Sequence, residues 1–266
     1  MAEQDTNVVL TARVETESGG TVVVVTLNRP EARNALTGEV VRALRAALAA
    51  ADADDSVGAV VLTGSDPAFS AGVDLNALGS EGGWDDVNVP GAPTGYPWIP
   101  LRKPVIGAIN GAAVTGGLEL ALACDFLIAS DLARFADTHA RVGMIPAWGL
   151  TGRLSAAVGW GFARRMSLTG NFIDARKALE VGLVTQVVAH DALIPTAMTL
   201  AGDIAGNNTP AVAALLASYR EAQQHVLGPV LDTEATHSAA WMASFDPSSV
   251  AQARDNVIDR GRKQMK

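Results

Sequence analysis

The stretch KPVIGAINGAAVTGGLELALACDFLIAS, residues 103–130, decides the expected fold. Residues 105–110 and 125–130 are short apolar runs typical of buried strands, and residues 117–124 between them are typical of a short buried helix. A buried strand, a helix and a second buried strand make a unit with parallel strands. Two adjacent glycines connect the first strand to the helix, and Glu119 follows them directly.

The same alternation extends along the chain. Residues 21–27, 59–64 and 183–188 also read as strands, and Thr37 is a candidate N-cap for a helix that follows the first of them. The pattern therefore predicts an α/β fold with a mainly parallel sheet. Beyond residue 190 the pattern becomes helical, and it predicts three successive helices at 209–225, 229–245 and 246–264.

Residues 79–100 form the longest stretch that fits no regular element, with five glycines and four prolines. A loop of this length in a compact domain is usually functional or mobile. Its Trp84, Tyr96 and Trp98 suit the lining of an apolar pocket. The alternative is an ordered surface flap that touches nothing.

Composition excludes several classes of protein. The chain has 266 residues, 48% hydrophobic residues and a net charge of −8, which favours a large packed domain and disfavours nucleic acid or an anionic membrane as partner. The first residues lack the pattern of a signal peptide, and no apolar run reaches the ~18 residues that span a bilayer. We therefore expect a cytoplasmic protein. The one cysteine, Cys124, lies in an apolar run and is expected to pack in the core.

Common catalytic motifs are missing from the sequence. It has no phosphate-binding G-x-x-x-x-G-K-[ST], no G-x-G-x-x-G after a strand and no G-x-S-x-G. The four histidines have no metal-ligand spacing, so no metal is expected. Nucleotide hydrolysis, dinucleotide redox chemistry, serine hydrolysis and zinc catalysis are all disfavoured.

The glycine pair lies where a strand turns into a helix. The first amides of a helix have no internal partners and carry partial positive charge, so they stabilise a negative oxygen. Glu119 lies in the first turn, close to that oxygen. A structural alternative exists: with Gly116 as N-cap, Glu119 falls at the third helical position and folds back onto the cap amide.

A second turn offers further amides. LTGSDPAFSAGVDLNAL, residues 62–78, follows the strand at 59–64. Two such turns supply two N–H donors to one oxyanion, which acyl thioester chemistry requires. The alternative is an ordinary strand-to-helix turn with Asp74 as a cap.

Five segments carry a resemblance to a known family. They are VTLNRPEARNALTGEV (25–40), GSDPAFSAGVDL (64–75), the opening stretch (103–130), VGMIPAWGLTGRLSAAVG (142–159) and LTGNFIDARKALEVGLVTQVV (168–188). In this order they resemble the crotonase superfamily, also called the enoyl-CoA hydratase/isomerase family, over nearly the whole chain. The resemblance implies a spiral of ββα units with the active site in residues 1–200. It also implies a helical C-terminal region, 201–266, that builds homotrimers, often paired into hexamers.

The resemblance implies an acyl-CoA thioester as substrate, with the amides of Val73 and Gly116 bound to its carbonyl oxygen. In hydratases of this family two glutamates position a water and move its protons. Glu119 matches the first glutamate, and alignment places His139 at the second. Histidine suits proton transfer near neutral pH, so His139 is a candidate acid for the substrate's Cα, oriented or replaced by Asp137. The alternative is a packed, hydrogen-bonded His139 with no proton-transfer role.

Other positions are candidates for holding the substrate. Arg33 and Lys263 suit the phosphates of coenzyme A, or they are solvated surface charges. Met144 and Trp148 suit an acyl pocket, or they pack in the core. Coenzyme A enters as part of the substrate, and no separate cofactor is expected. The remaining candidates belong to segments that line the coenzyme site in relatives: Ala32, Ala71, Asp74 and Asn76.

The sequence therefore predicts an enoyl-CoA hydratase, which adds water across the 2,3 double bond of an acyl-CoA. One alternative is an enoyl-CoA isomerase or another crotonase reaction run by a single acid/base. Another is a non-catalytic acyl-CoA-binding homologue, which the missing second glutamate leaves open.

Overall fold

The computed structural model describes residues 7–17, 19–74, 90–245 and 263–264. Ten strands lie in these ranges: β1 (Val9–Glu15), β2 (Thr21–Leu27), β3 (Val57–Gly64), β4 (Ala68–Ser70), β5 (Val105–Ile109), β6 (Ala112–Val114), β7 (Phe126–Ser130), β8 (Arg134–Ala136), β9 (Ile173–Asp174) and β10 (Gln186–Val188). The larger sheet has the order β1-β2-β3-β5-β7-β10, and the smaller sheet has the order β4-β6-β8-β9.

The two sheets are wound from pairs of consecutive strands. In the pairs β3–β4, β5–β6 and β7–β8, the first strand joins the larger sheet and the second joins the smaller. Strands β3, β5 and β7 are parallel to one another, and so are β4, β6 and β8. The chain therefore advances by one position in both sheets with each pair. This winding is the predicted spiral of strand pairs and helices.

Seven α-helices of the described ranges connect and cover the sheets: α1 (Gly38–Ala53), α2 (Gly116–Leu122), α3 (Leu150–Val158), α4 (Trp160–Thr169), α5 (Ala175–Glu180), α6 (Leu193–Ala205) and α7 (Thr209–Met242). The predicted N-cap of α1 is present, because the side chain of Thr37 accepts a hydrogen bond from the amide of Val40. Within the described ranges, no helix combines the length and the apolar character that crossing a bilayer requires.

The larger sheet is buried on both faces. Side chains alternate along a strand, so Val25 of β2 faces the core shared with α1 and the smaller sheet. Val22, three residues earlier on the strand, faces the opposite side and packs with Ala197 and Ala201 of α6. This arrangement explains why the strands read as continuous apolar runs. Cys124 packs against the first of these cores, as predicted.

The predicted C-terminal helices were wrong in number. Residues 209–225 and 229–245 were predicted as two helices, but α7 continues through Pro229 as one helix of 34 residues. Proline lacks the amide that bonds to the preceding turn and usually ends a helix. Here the buried Leu231 packs against Gly152 of α3, and this packing supports the helix across the proline. The third predicted helix, 246–264, lies outside the described residues except for 263–264.

The described part of the glycine- and proline-rich loop, residues 90–100, contains no helix or strand. Trp98 is buried in the main core. Tyr96 lies beneath the guanidinium group of Arg153, 4.1 Å from the ring centre to Cζ. This part of the loop is therefore anchored to the core, unlike a flap that touches nothing. Trp84 lies outside the described residues.

The predicted division of the chain at residue 200 falls inside α6. This helix packs against β2, β3 and β5 of the larger sheet. The division into a core of residues 1–200 and a helical region of 201–266 stays a prediction.

Candidate active site

Two backbone amides from different turns lie side by side. An ideal Cβ placed on Gly116 would lie 3.7 Å from the nitrogen of Val73, and one placed on Gly72 would lie 3.2 Å from the nitrogen of Gly116. Leu36 bonds to the residues on either side of Val73: its amide donates to Gly72 and its carbonyl accepts from Asp74. The Val73 amide therefore points away from Leu36. Neither the Val73 nor the Gly116 amide has an acceptor within the part of the chain that the structure describes.

Glycine allows the two turns to approach this closely. Gly72 has φ of +85°, and a Cβ there would lie 2.6 Å from the carbonyl oxygen of Val114. A Cβ on Gly117 would lie 2.3 Å from the carbonyl oxygen of Ser70. Both contacts are too short for any larger residue, so the second glycine of the pair is required by packing.

The residue before Gly116 has a strained backbone. Thr115 has φ of 54° and ψ of −115°, an unfavourable region for a β-branched residue. Its amide donates to the carbonyl of Ala136, and its hydroxyl lies 2.6 Å from the hydroxyl of Thr138. These two contacts hold the strained turn from which the Gly116 amide projects. Such conformations cost about 1–3 kcal/mol and concentrate at functional sites.

The Glu119 carboxylate turns away from its own helix. The N-cap of α2 is Thr115, and no side-chain cap bond forms, so the capping alternative is wrong. Instead, Oε1 accepts hydrogen bonds from the amides of Ala147, at 3.1 Å, and Trp148, at 2.7 Å. Burial raises the pKa of the Glu119 carboxyl to about 7, and the charge of His139 acts against this rise.

His139 connects two carboxylates. Its Nε2 lies 3.5 Å from Oε2 of Glu119, and its Nδ1 lies 2.7 Å from Oδ1 of Asp137. The carboxylate of Asp137 therefore accepts from the Nδ1–H, which leaves Nε2 directed at Glu119. All three side chains are buried.

The charges of this cluster stabilise one another. Burial acts to lower the pKa of His139, but the hydrogen bond to Asp137 and the charge of Glu119 outweigh it, so the pKa is raised. Burial acts to raise the pKa of Asp137, but the bonds and charge of His139 outweigh it, so that pKa is lowered. The geometry therefore favours an imidazolium between two carboxylates.

The candidate coenzyme-binding residues lie around the Val73 turn. The amide of Ala71 donates to the carbonyl of Arg33 at 2.9 Å, so the turns that contain these two residues are adjacent, and Ala32 directly precedes Arg33. The Arg33 side chain is exposed. The carboxylate of Asp74 pairs with Arg29 at 3.2 Å, which fixes the Val73 turn from its other side.

The other candidates are more scattered. Trp148 has its ring in the main core, while its amide donates to Glu119. Met144 is half-buried, and its amide donates to the carbonyl of His139. Lys263 is exposed in a two-residue helical piece, and Asn76 lies outside the described residues.

Sequence reasoning missed several groups that complete the site. The amides of Ala147 and Trp148 hold Glu119 from 28 and 29 residues away in the chain. Glu234 of α7 is buried beside this loop. No local sequence pattern predicts these contacts, since they join segments that are far apart in the chain. None of the described residues forms a group of three His, Cys, Asp or Glu side chains suited to a metal, and the expectation of no metal or separate cofactor stays a prediction.

Comparison with known proteins places the chain in context. Residues 17–249 match the family model described as "Enoyl-CoA hydratase/isomerase". The "Probable enoyl-CoA hydratase 1, peroxisomal" of Arabidopsis thaliana is 38% identical, with 94% of each chain covered. A "Probable enoyl-CoA hydratase" of Rhizobium meliloti is 43% identical, over 73% of this chain and 76% of that protein.

A solved structure is similar over the same region. The crystal structure of enoyl-CoA hydratase from Mycobacterium tuberculosis H37Rv is 51% identical, with a TM-score of 0.80. The match covers 89% of this chain and 100% of that one. The spiral of strand pairs described above is therefore the crotonase fold predicted from the sequence.

Proposed function

Since the chain belongs to the enoyl-CoA hydratase/isomerase family, we propose that it is an enoyl-CoA hydratase that adds water across the 2,3 double bond of an acyl-CoA. One observation supports this most strongly: two amides without an acceptor among the described residues lie side by side in the fold that presents Glu119, and Glu119 faces His139. Such a site polarises a carbonyl and moves protons on the carbons beside it.

The amides of Val73 and Gly116 bind the carbonyl oxygen of the thioester. As water adds, negative charge develops on this oxygen, and two N–H groups already aimed at it stabilise the enolate without reorganisation. One such donor typically contributes about 10²–10³ in rate. The strained Thr115 and the crowded glycines keep the two donors together.

Glu119 and His139 divide the proton transfers. The Glu119 carboxylate removes a proton from water as the water oxygen bonds to C3, and the π electrons of the double bond move into the enolate. The His139 imidazolium then gives its Nε2 proton to C2, and the thioester carbonyl is restored. The product is the 3-hydroxyacyl-CoA, with Glu119 protonated and His139 neutral.

The same contact returns the site to its starting state. Oε2 of Glu119 and Nε2 of His139 face each other at 3.5 Å, so the proton gained from water passes to the imidazole. Asp137 supports this step because its hydrogen bond to Nδ1 favours the imidazolium form. Burial raises the pKa of Glu119 to about 7, which makes its carboxylate a stronger base and suits proton transfer from water near neutral pH.

The isomerase alternative needs fewer groups. One acid/base would move a proton from C2 to C4 of a 3-enoyl thioester with the same two amides on the carbonyl. The second proton-transfer group beside Glu119 favours the hydratase, because addition of water requires both a base and an acid. A non-catalytic binding protein would not need two carboxylates to hold a buried, charged histidine.

Several finer assignments also belong to this proposal. Arg33 and Lys263 bind the coenzyme A phosphates. The segments that contain Ala32, Ala71, Asp74 and Asn76 line the coenzyme site, and Met144 and Trp148 border the acyl chain. The helical C-terminal region forms a homotrimer or hexamer, which sedimentation velocity would measure directly. The protein works in the cytoplasm; fractionation of the producing cells tests this.

The function is tested by turnover of matched substrates. Purified protein is given 2-enoyl-CoA thioesters of increasing chain length, and loss of the conjugated enoyl absorbance is followed with mass detection of the hydrated product. A second set of 3-enoyl-CoA thioesters is run in parallel. Hydration of the 2-enoyl set is expected. Conversion of the 3-enoyl set to conjugated product without hydration would establish the isomerase, and binding without turnover of either set would contradict both enzymes.

A further inference from the structure

Glu234 of α7 is a buried carboxylate that reaches the start of another helix. Its Oε1 accepts from the amide of Gly149 at 2.6 Å. Its Oε2 accepts from the amide of Thr151 at 2.6 Å and from the Thr151 hydroxyl. The side chain is 6% exposed, so these contacts replace the solvation that the charge loses on burial.

The helix that Glu234 reaches has no cap of its own. The N-cap of α3 is Gly149, which has no side chain, and it has φ of +85°. The first amides of a helix need acceptors, and a carboxylate at this end also interacts favourably with the helix dipole. Glu234 supplies that acceptor from 85 residues away in the chain.

The residues just before this cap are the ones that hold Glu119. Ala147 and Trp148 directly precede Gly149, and both donate to Oε1 of Glu119. The other end of the same loop also contacts α7, because Nε1 of Trp241 donates to the carbonyl of Gly143 at 2.8 Å. The segment 143–149 is thus attached to α7 at both ends.

We propose that Glu234 is a positioning residue for the reaction. By capping α3 at Gly149 and Thr151, it fixes the two preceding amides and so places the Glu119 carboxylate against substrate and His139. The role of Glu234 in turnover rests on the proposed function, whereas its contacts between α7 and α3 do not depend on that function. Through Glu234, helix α7 would take part in the reaction of its own chain.

The charge of Glu234 also reaches the proton-transfer pair. It adds to the rise in the pKa of Glu119, where burial is the main cause, and it contributes to the raised pKa of His139. Removal of this charge should therefore lower both pKa values. The described ionisable groups that face this region come from several elements: Glu119, Asp137, His139, Arg153, Arg164 and His237.

The test compares Glu234→Gln with Glu221→Gln. Glu221 lies on the same helix, and its side chain is exposed, so the second variant makes the same chemical change away from α3. We expect Glu234→Gln to lower kcat about 10-fold with KM within about twofold of wild type, since small displacements of a catalytic group are costly. The acid limb of kcat/KM should move to lower pH. Glu221→Gln should match wild type in both respects.

A second readout does not need turnover. The pKa of His139 is measured by NMR titration of the imidazole protons, with His139→Gln to assign the signal. Glu234→Gln should lower this pKa, and Glu221→Gln should leave it unchanged. A wild-type protein without turnover would contradict the proposed function, while the titration would still test the link between Glu234 and the site.

Clear outcomes overturn the inference. If wild type is active and Glu234→Gln keeps its kcat, pH profile and His139 titration, Glu234 has no positioning role, whatever the change in thermal stability. If Glu234→Gln does not fold, Glu234→Asp is used, which keeps the charge but is one methylene shorter. That variant should lower kcat without moving the His139 pKa, and a wild-type kcat would overturn the inference.

Discussion

The described residues include two clusters in which a histidine connects an aspartate to a third polar side chain. In one, His139 lies between Asp137 and Glu119. In the other, His190 lies between Ser130, at 3.0 Å from Nδ1, and Asp66, at 3.1 Å from Nε2. The second cluster has the residue types of a serine hydrolase triad, yet it does not have the setting of one.

The two clusters differ in what surrounds them. Ser130 is fully buried at the end of β7, and its hydroxyl already accepts from the amide of Leu132. The Asp66 side chain is 63% exposed, so its pairing with His190 is open to water. In this cluster the Ser130 hydroxyl, which would be the nucleophile of a triad, is shielded from solvent, whereas the Asp66 carboxylate is exposed to water.

The His139 cluster has the opposite arrangement. Its charges are buried and shift one another's pKa values. The fold that holds them also places two amides side by side, and neither has an acceptor in the part of the chain that the structure describes. Residue types and distances alone therefore do not identify a reaction centre. A reaction centre is identified by buried charges together with available hydrogen-bond donors. The following predictions test whether these two properties separate the clusters.

The largest effect is expected at Glu119. Glu119→Gln keeps the shape of the side chain but removes the base, so kcat for 2-enoyl-CoA hydration should fall by about 10³-fold or more. Steady-state kinetics measure it, and circular dichroism confirms that the variant folds. Turnover within a few-fold of wild type would remove this carboxylate from the mechanism.

The next largest effect is expected at His139. His139→Gln should lower kcat by about 10²-fold, because the proton for C2 must then come from another source. The variant also tests whether the acid limb of the pH profile belongs to Glu119. Wild-type kcat/KM should fall as pH drops below about 7, where burial places the pKa of Glu119 and the carboxylate becomes protonated.

In His139→Gln that acid limb should move to higher pH. The charge of His139 acts to lower the pKa of Glu119, so its loss leaves the effect of burial less opposed. A pH series of kcat/KM for both proteins measures the shift. An acid limb near the ordinary pKa of glutamate in wild type would contradict the assignment, and so would an unmoved limb in the variant.

Asp137→Asn should have a smaller effect, about 10-fold to 10²-fold on kcat, since the aspartate acts through the histidine. The amide cannot supply the charge that helps to raise the pKa of His139, so that pKa should fall. NMR titration of the imidazole measures the pKa of His139. Glu119→Gln is the comparison, because that variant should also lower the pKa of His139 but removes the catalytic base. A wild-type imidazole pKa in Asp137→Asn would contradict the hydrogen bond as its cause.

The sequence predicted much of this arrangement, and for physical reasons. The glycine pair, the strands on each side and Glu119 lie within one short stretch, so local patterns and a family resemblance were enough to identify them. The contacts of His139 with Asp137 are also local, only two residues apart. These are features that short-range geometry fixes.

The parts that the sequence did not predict depend on packing between distant elements. The short strands of the smaller sheet, such as β6 with three residues, are too brief to show a period. A proline such as Pro229 usually interrupts a helix, but α7 continues past it because α7 packs on α3. The bonds from Ala147 and Trp148 to Glu119, and from Gly149 to Glu234, join segments whose proximity exists only in the folded chain.

The smallest effect on turnover is expected at His190. This prediction tests whether the second cluster is separate from the reaction centre. His190→Gln should leave kcat and KM within about twofold of wild type, because the buried Ser130 hydroxyl is closed to substrate. It should lower the free energy of unfolding by about 1 kcal/mol, since the ring connects the ends of two chain segments through hydrogen bonds. Urea unfolding with parallel kinetics measures both. A large loss of turnover with unchanged stability would mean that the second cluster also takes part in the chemistry, and burial would then fail as the property that separates the two.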